Sequence, residues 1–358
     1  MKWRRVLETA VLVVVVGSFS PAARAACTPT GFYVDGINMT AALVNPAQFN
    51  GQTLDATGCN IGIYFDDGTD GGAGVGGSVY GATIENANYF GIVVNGGGGH
   101  AAVNVNINAS TIKNIEESPP NGTQHGNAIF YINGSTSPGA DDSRTCGANN
   151  ATTGMIYGNT VSSYQKNGIT VKCTGVNVTI SKNTVTGAKE VNYIAQNGIE
   201  VGLGALASVT GNTVSENEYT GLNGASSSGI LVFGGPYFGG AYASNETVSG
   251  NLLTDNDVGI YSVNCDESCT APSTPTNNVI NGNKISNPDT SNISGCGSVG
   301  YQAGISEIGL NDMIKNNKIS GNGYGPSPGN YCVVTTLLPI DTIGSGSLKQ
   351  PNGKKFTQ

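Results

Sequence analysis

Two short phrases alternate along most of this 358-residue chain, and their spacing constrains its fold more than any other feature. The first phrase, Gly-Ile-x-Val or a close variant, recurs at intervals of 29 to 45 residues. The second phrase carries a fixed asparagine between apolar residues, as in "VTGNTVS" and "ISKNTVT". Repeats of this length are typical of solenoids, in which each unit packs only against its neighbours. The repeat therefore predicts a solenoid.

The repeated units contain period-2 strands broken by Gly and Asn, and no helical segment that would connect parallel strands. Each unit is therefore expected to wind once around an axis, with equivalent strands stacked about 4.8 Å apart. Isoleucines of the first phrase then form an inward stack, and the glycine before each is expected to bend the chain with positive φ. Asparagines of the second phrase form a column of side-chain amides bonded from unit to unit. The predicted columns are Ile63, Ile92, Ile129, Ile169, Ile199, Ile230, Ile260 and Ile305, and Asn159, Asn183, Asn212, Asn251, Asn283 and Asn317.

The phrases "NGITV" and "VTISKNTVTG" and their copies make the chain resemble the pectate lyase-like superfamily of right-handed parallel β-helices. The resemblance implies an all-β, single-stranded right-handed parallel β-helix of roughly eight to ten rungs. It also implies that either a monomer or a homotrimer is compatible with the fold. Because the superfamily includes lyases, hydrolases, epimerases, phage tailspikes and adhesins, the resemblance predicts the fold more narrowly than the function.

The first residues have the features of a secretory signal: basic Lys2, Arg4 and Arg5, a short apolar run, and a small-residue cleavage site ending at Ala25. The apolar run is too short to span a bilayer, so no transmembrane segment is expected. We therefore expect a secreted protein, extracellular or periplasmic. The expected organisation is a signal peptide at 1–25, an N-terminal cap and first rung at 26–60, a β-helix at 61–332, and a C-terminal tail or cap at 333–358.

The charge balance limits the partners. The full chain has 16 Lys and Arg against 24 Asp and Glu, a net charge of −8, and no basic run remains after the signal. Nucleic acid and anionic membranes are therefore not expected as partners. A polysaccharide or cell-surface glycan is the expected partner, and a polyanionic one is expected to need a bridging cation.

Eight cysteines follow the signal peptide. An even number of cysteines in an exported chain indicates disulfide bonds, although the number alone does not fix their connectivity. We expect sequence neighbours to pair. The expected bonds are Cys27–Cys59, Cys146–Cys173, Cys265–Cys269 and Cys296–Cys332.

A group of charged residues follows the second phrase in consecutive units. Glu216 and Glu218 of "GNTVSENEYTG" and, one unit later, Asp255 and Asp257 occupy matching positions, and Lys189 precedes them by one unit. Strand stacking predicts that Glu216 lies one strand spacing from Asp255. These five residues are the candidate catalytic group. The alternative is a solvated edge, since charged side chains along a solenoid deter aggregation.

Two chemistries fit such a group. Paired carboxylates would hydrolyse a glycosidic bond. Alternatively, Glu216 and Asp255 would bind Ca²⁺, which would hold a uronate carboxylate while Lys189 or Lys166 removes the adjacent proton. The expected cofactor is therefore none or Ca²⁺.

Candidate substrate-binding residues lie in the loops. Tyr219, Tyr237 and Tyr242 offer rings that stack on sugars, and His125 is a candidate acid or base. The alternatives are rings packed against the β-helix wall and a turn histidine bonded to backbone. Outward residues Lys172 and Glu200 on adjacent rungs are expected to form a surface ion pair of little energy.

The sequence thus favours a secreted carbohydrate-active protein, either a polysaccharide lyase or a glycoside hydrolase. The alternative is a non-catalytic adhesin or glycan-binding surface protein. An enzyme predicts a groove flanked by loops with the four carboxylates facing into it, whereas a binding protein predicts carboxylates that point singly into solvent. Ice or crystal binding is a third alternative, based on a small Thr/Ser array that ends at Leu252, Lys284 and Lys318.

Overall fold

The computed structural model describes residues 26–68, 74–134, 141, 144–221, 225–288, 302–321 and 340–342. The described chain is almost entirely β, with three long sheets and two 3₁₀ turns at Pro236–Phe238 and Glu267–Cys269. In these residues, no helix has the length and hydrophobicity needed to cross a membrane. The expected signal peptide and the expected Cys296–Cys332 bond lie outside the described residues.

Sheet A contains eleven strands. The first two form an antiparallel hairpin at one end, and every later neighbour is parallel. In sheet order they are β1 (Thr28–Val34), β2 (Ile37–Val44), β5 (Ile61–Asp66), β8 (Phe90–Asn95), β11 (Asn127–Ile132), β14 (Asn167–Lys172), β17 (Asn197–Gly202), β20 (Ser228–Gly234), β23 (Val258–Asn264), β26 (Ala303–Ile308) and β29 (Ile340–Thr342).

Sheets B and C contain nine parallel strands each. Sheet B consists of β3 (Gln48–Asn50), β6 (Val75–Tyr80), β9 (Val103–Asn108), β12 (Thr152–Tyr157), β15 (Val176–Ser181), β18 (Leu206–Thr210), β21 (Thr247–Ser249), β24 (Val279–Asn281) and β27 (Met313–Lys315). Sheet C consists of β4 (Thr53–Asp55), β7 (Thr83–Glu85), β10 (Thr111–Ile115), β13 (Thr160–Tyr164), β16 (Thr184–Val191), β19 (Thr213–Tyr219), β22 (Leu252–Asn256), β25 (Lys284–Ser286) and β28 (Lys318–Ser320).

The chain visits sheets B, C and A in turn, so the described residues form nine coils of a parallel β-helix. This confirms the predicted solenoid. The eight isoleucines of the first phrase pair in register along sheet A and are fully buried in one continuous core. Burial of this stack supplies the hydrophobic driving force that one unit cannot generate alone.

The glycine before each isoleucine has a different role from the one predicted. Gly168 does not have positive φ, and a Cβ there would lie 2.6 Å from the Gly198 carbonyl oxygen and 2.4 Å from a Val185 methyl. Close approach between coils, rather than a bend, therefore requires glycine. The bends with positive φ precede the asparagine column, at residues such as Gly158, Gly211 and Gly250.

The predicted asparagine column forms a continuous ladder at the corner between sheets B and C. From Asn159 to Asn283, the backbone N–H and the side-chain Nδ2 of each asparagine both donate to Oδ1 of the next, all at 2.9–3.0 Å. Each Nδ2 also donates to a backbone carbonyl of the coil before it. The ladder satisfies buried polar groups at a corner where the sheet hydrogen bonds are interrupted.

Three disulfide bonds join the cysteine pairs expected from their order in the sequence, Cys27–Cys59, Cys146–Cys173 and Cys265–Cys269. The first ties the N-terminal hairpin to the start of the β-helix, and the other two close loops beside sheet A. Such bonds fit a protein that matures in an oxidising compartment.

A buried carboxyl lies at the corner that enters sheet B. Glu246 Oε2 accepts the Ala207 N–H at 2.6 Å, and the Glu246 N–H donates to Asn278 Oδ1 at 2.9 Å. Burial raises the pKa of Glu246 from 4.5 to about 8, although the Ala207 N–H opposes the shift. The folded chain therefore binds more protons here than the unfolded chain between these two pH values.

Glu246→Gln is expected to stabilise the protein at alkaline pH. The contribution of the protonated Glu246 carboxyl is fully present below pH 4.5 and is lost as the pH rises through about 8, by an amount on the order of a few kcal/mol. Melting temperatures should therefore be higher for the variant than for the wild type at about pH 9, with a smaller difference at about pH 5. The exposed Glu267→Gln is the control, and equal behaviour of the two variants would contradict the prediction.

Candidate functional site

The register of β19 and β22 places Glu216 beside Asp255, as the sequence predicted. Ser215 pairs with Thr254 and Asn217 with Asn256, so the two acids between them are neighbours on adjacent strands. Both acids have positive φ, 61° and 52°, which marks a local bend within each strand. Glu216 and Asp255 are thus neighbouring residues at a bend in two adjacent strands of sheet C.

The second pair of predicted catalytic acids is buried in the loop structure. Asp257 accepts the backbone N–H groups of Tyr219 and Ser227, both at 2.9 Å. Glu218 is also buried. By accepting two backbone N–H groups, the Asp257 carboxyl group fixes the path of the connecting loop.

Lys189 is displaced from its predicted position. Lys189 and Glu218 stand at the same distance from the asparagine column in the sequence, but an irregularity in β16 between Thr186 and Lys189 pairs Lys189 with Asn217 and Glu190 with Glu218. The Lys189 Nζ lies 3.8 Å from Glu216 Oε1 on a side chain that is 72% exposed. This contact is a solvated ion pair of small energy.

The predicted calcium ligands do not form a complete cation site. Ca²⁺ takes about six to eight oxygen ligands, more than the carboxylates of Glu216 and Asp255 supply. In the part of the chain that the structure describes, no group of three or more His, Cys, Asp or Glu side chains is arranged to hold a metal ion. The donor set therefore does not fit resident calcium.

His125 is buried among acidic and aromatic side chains. Its Nε2 lies 3.0 Å from Asp35 Oδ2, its Nδ1 lies 3.6 Å from Glu117 Oε2, and its ring stacks on Tyr89 with centroids 4.0 Å apart. Asp35 belongs to the N-terminal hairpin turn, so His125 joins that hairpin to the loop before β11. The partners are carboxylates rather than the backbone groups expected of a turn histidine.

The three predicted tyrosines have three different environments. Tyr219 is buried, and burial raises the pKa of its hydroxyl. The Tyr242 hydroxyl donates to Asp266. Tyr237 is exposed and meets Phe238 edge-to-face with centroids 5.0 Å apart. Of the residues predicted to form the site, Tyr237 and the alternative base Lys166 are among the described residues that line the groove described next.

A groove of about 700 Å³ crosses the outer face of sheet A over β11, β14, β17, β20 and β23. Loops flank it on both sides: Gln124, Ala195 and Ser226 come from the connections that enter sheet A, and Arg144 and Tyr237 from those that leave it. The sequence predicted a loop-flanked groove for an enzyme. The four predicted carboxylates, however, are not among the described residues that line it.

The groove floor combines aromatic rings with a ladder of amides. Asn197 Nδ2 donates to Asn167 Oδ1 at 3.0 Å, and Asn167 Nδ2 donates to Asn127 Oδ1 at 2.8 Å. Beside this ladder, Phe130 and Tyr261 lie in one outward column. Rings next to ordered amides are the combination that binds sugars, because rings stack on their faces and amides bond their hydroxyls.

Lys172 and Glu200 form an ion pair within the groove. Lys172 Nζ lies 2.8 Å from Glu200 Oε1, and the two side chains are only 17% and 5% exposed. The Nζ also lies 6.0 Å from the Phe130 ring centroid and 5.5 Å from that of Phe233. The predicted pair is therefore present, but it is largely buried beside two rings rather than solvated at the surface.

Glu200 is held in its ionised form. Burial alone would raise its pKa, but the ammonium groups of Lys172 and Lys166 and side-chain hydrogen bonds outweigh burial and lower the pKa below its usual value. Asn197 Nδ2 additionally donates to Glu200 Oε2 at 3.2 Å. Glu200 thus orients Lys172 and is unsuited to act as a general acid.

Lys166 supplies an amine with altered basicity. It lies in the two-residue connection between β13 and β14, and its Nζ donates to the Ala195 carbonyl oxygen at 2.6 Å. Burial lowers its pKa from 10.5 to about 8; Lys172 acts in the same direction and Glu200 opposes it. Near neutral to mildly alkaline pH, a fraction of this amine is therefore unprotonated and basic.

A glycine keeps the aromatic wall in place. At Gly202, a Cβ would lie 2.2 Å from a Phe233 ring carbon. Gly202 is the in-register neighbour of both Lys172 and Phe233. The absence of a side chain there lets the Phe233 ring reach across to Lys172, whose Nζ lies 5.5 Å from the ring centroid.

The groove reverses the charge balance of the chain. Among its described lining residues are three basic side chains, Lys166, Lys172 and Arg144, and one acid, Glu200. Lys172 is paired with Glu200, and Arg144 is paired with Asp141 at 3.1 Å, so the basic excess of the groove is one charge. The whole chain has 16 basic and 24 acidic residues. A locally cationic groove on an acidic protein favours a negatively charged ligand without a bridging cation.

Comparison with known proteins gives no family assignment. No protein-family profile matches the sequence, and no curated protein matches it. One structural match is a complex of XylC with xylose, at 12% sequence identity and a TM-score of 0.35. The match covers 73% of this chain and 38% of that chain, so this protein spans less than half the length of its structural match.

Proposed function

We propose that the groove on sheet A binds an acidic polysaccharide and that the protein cleaves it by β-elimination, with Lys166 as the base. The observation that carries the proposal is the juxtaposition of the partly buried Lys166, a weakened base, with the Lys172–Glu200 pair on a floor of rings and amides. A uronate is the sugar that matches this set, because its carboxylate meets cations while its ring meets aromatic side chains.

The chemical steps follow from these residues. Lys172 and Arg144 neutralise the uronate carboxylate, which makes the C–H bond beside it more acidic. The unprotonated Lys166 amine takes that proton, the bond from the neighbouring carbon to the glycosidic oxygen breaks, and a carbon–carbon double bond forms. The departing oxygen takes a proton from water. Lys166 returns its proton to solvent before the next turnover.

Hydrolysis by two carboxylates has less support. That mechanism needs a second carboxylate about 5 to 9.5 Å from the first, across the scissile bond. Glu200 is the single acid among the described residues that line the groove, and it is already paired with Lys172. Glu216 and Asp255 are adjacent acids, but they lie on two strands of sheet C and are not among the described residues that line the groove.

The test is an assay of purified protein on a panel of uronans, which follows the ultraviolet absorbance of the unsaturated product. Product should form with at least one uronan, and it should form equally in EDTA and in calcium because side chains neutralise the carboxylate. Loss of activity in EDTA would indicate instead that a bound calcium ion neutralises the uronate carboxylate. Saturable uronan binding without product would instead support a non-catalytic glycan-binding protein.

A further inference from the structure

The first eight strands of sheet B place no charged residue at an outward position. Its outward residues form three in-register rows, and the first charged residue in these rows is Lys315 on β27. The rows up to β24 are Gly76, Asn104, Thr153, Asn177 and Leu206; Gln48, Ser78, Asn106, Met155, Thr179, Ser208, Thr247 and Val279; and Asn50, Tyr80, Asn108, Tyr157, Ser181, Thr210, Ser249 and Asn281.

Sheet C differs from sheet B in this respect. Its outward rows carry Asp55, Glu85 and Lys113 near one end and Lys284 and Lys318 near the other. Charges on an exposed sheet keep a protein dissolved and prevent association. Their absence over eight strands of sheet B, in a chain with 40 charged residues distributed elsewhere, favours contact with an uncharged partner.

Two exposed tyrosines lie in one row of this face. Tyr80 and Tyr157 pair with Asn108 from either side, so they are two strands apart. Their positions are thus separated by about 9.6 Å, twice the spacing between strands. The side chains are 59% and 37% exposed, and Met155 and Leu206 add further exposed apolar surface on the same face. Clustered exposed apolar groups usually mark a binding surface.

The corner residue Lys182 contacts one of these rings. Its Nζ donates to the Tyr157 hydroxyl at 3.4 Å and lies 5.4 Å from the ring centroid. On the sheet itself, Asn104 Nδ2 donates to Thr153 Oγ1 at 2.8 Å. These contacts restrain Tyr157 and the polar row, so the surface loses little conformational freedom when a ligand docks.

We infer that the outer face of sheet B docks an extended, uncharged, β-linked polysaccharide. One sugar unit of such a chain is similar in length to one strand spacing, so two rings two strands apart can lie under alternate sugars. Tyrosine rings stack on the apolar faces of the sugars, and the Asn, Ser and Thr rows face their hydroxyl groups. This surface is separate from the sheet A groove and goes beyond the elimination reaction proposed there.

The inference is tested by co-sedimentation of the full chain with microcrystalline cellulose and with chitin. Wild-type protein should sediment with at least one of them, and Tyr80→Ala and Tyr157→Ala should each weaken binding about tenfold, or about a hundredfold together. Tyr80→Phe keeps the ring and should keep binding. Leu252→Ala, which removes an exposed apolar side chain from sheet C, should bind like the wild type.

Three outcomes would overturn the inference: no sedimentation of wild-type protein with either solid, undiminished binding by the double tyrosine variant, or dimers in light scattering that become monomers in Tyr80→Ala. The last outcome would make the face a contact between two copies of the chain. Uronan cleavage is measured in parallel. It should be unchanged in the tyrosine variants, whereas Lys166→Gln should lose it and still sediment, so the two proposals fail independently.

Discussion

Lys166→Gln is expected to lower kcat/KM on the uronan substrate by about 10²- to 10⁴-fold, the usual contribution of a general base. Glutamine is uncharged and of similar length, so its amide can still donate to the Ala195 carbonyl oxygen that Lys166 contacts. It cannot accept a proton from carbon. The loss should therefore appear in kcat, with the melting temperature close to that of the wild type.

The pH profile gives a second readout of the same residue. Burial lowers the pKa of Lys166 to about 8, so wild-type activity should rise with pH through that value and fall on the acidic side, where the ammonium form predominates. Lys113→Gln is the matched control. Lys113 pairs with Glu85 at 3.1 Å on the outer face of sheet C, and its replacement should leave the profile unchanged. A Lys166→Gln variant with the wild-type rate and profile would contradict the assignment.

Asn212→Ala is expected to reduce the free energy of unfolding by about 3 to 6 kcal/mol, because it removes several hydrogen bonds of buried polar groups. The Asn183 backbone N–H loses its acceptor, the Asn183 Nδ2 keeps only a backbone carbonyl oxygen as acceptor, and the Ile180 carbonyl loses the donor that Asn212 supplies. Asn183 and Asn212 are buried in the folded corner, so each polar group that loses its partner there contributes a desolvation cost.

Chemical denaturation of two further variants separates this ladder effect from a general effect of the turn. The free energy of unfolding of Asn212→Ser should lie between those of the wild type and Asn212→Ala. A serine, Ser110, already occupies the first position of the ladder, where its N–H donates to Asn159 Oδ1 and its Oγ accepts the Ala82 N–H. Thr213→Ala, which points outward, should change stability by less than about 0.5 kcal/mol. Equal losses for Asn212→Ala and Thr213→Ala would contradict the role of the ladder.

The sequence was sufficient to predict the solenoid because the patterns that determine it are local in the sequence. A period of two within strands and a recurring asparagine fix which side chains stack, and stacking needs no knowledge of the loops. The same reasoning placed Glu216 beside Asp255 correctly. It failed at Lys189, only a few residues further from the column, because one irregularity in β16 shifts the pairing by a residue.

The groove was harder to predict because the burial of its side chains depends on which sheet's outer face the loops cover. The alternation in β14 and β17 marks Lys172 and Glu200 as outward, and outward positions of a solenoid are normally solvated. Burial of the pair comes from the Phe130 and Phe233 rings of other coils and from the flanking loops. His125 was similarly unpredictable, since its partner Asp35 lies 90 residues away in the sequence. One signal was available in the sequence. Lys172 directly follows "GITV" and Glu200 lies within "GIEV", so each places a charge in a strand that is otherwise uncharged.

We expect the sheet A groove, and not the acidic bend of sheet C at Glu216 and Asp255, to hold the polysaccharide. The most direct measurement is a crystal structure of Lys166→Gln bound to an oligosaccharide of the uronan that the wild type cleaves. Sugar rings should lie across β11 to β23, with a uronate carboxylate within hydrogen-bond distance of Lys172 or Arg144. An oligosaccharide bound at Glu216 and Asp255, with the groove empty, would contradict this expectation.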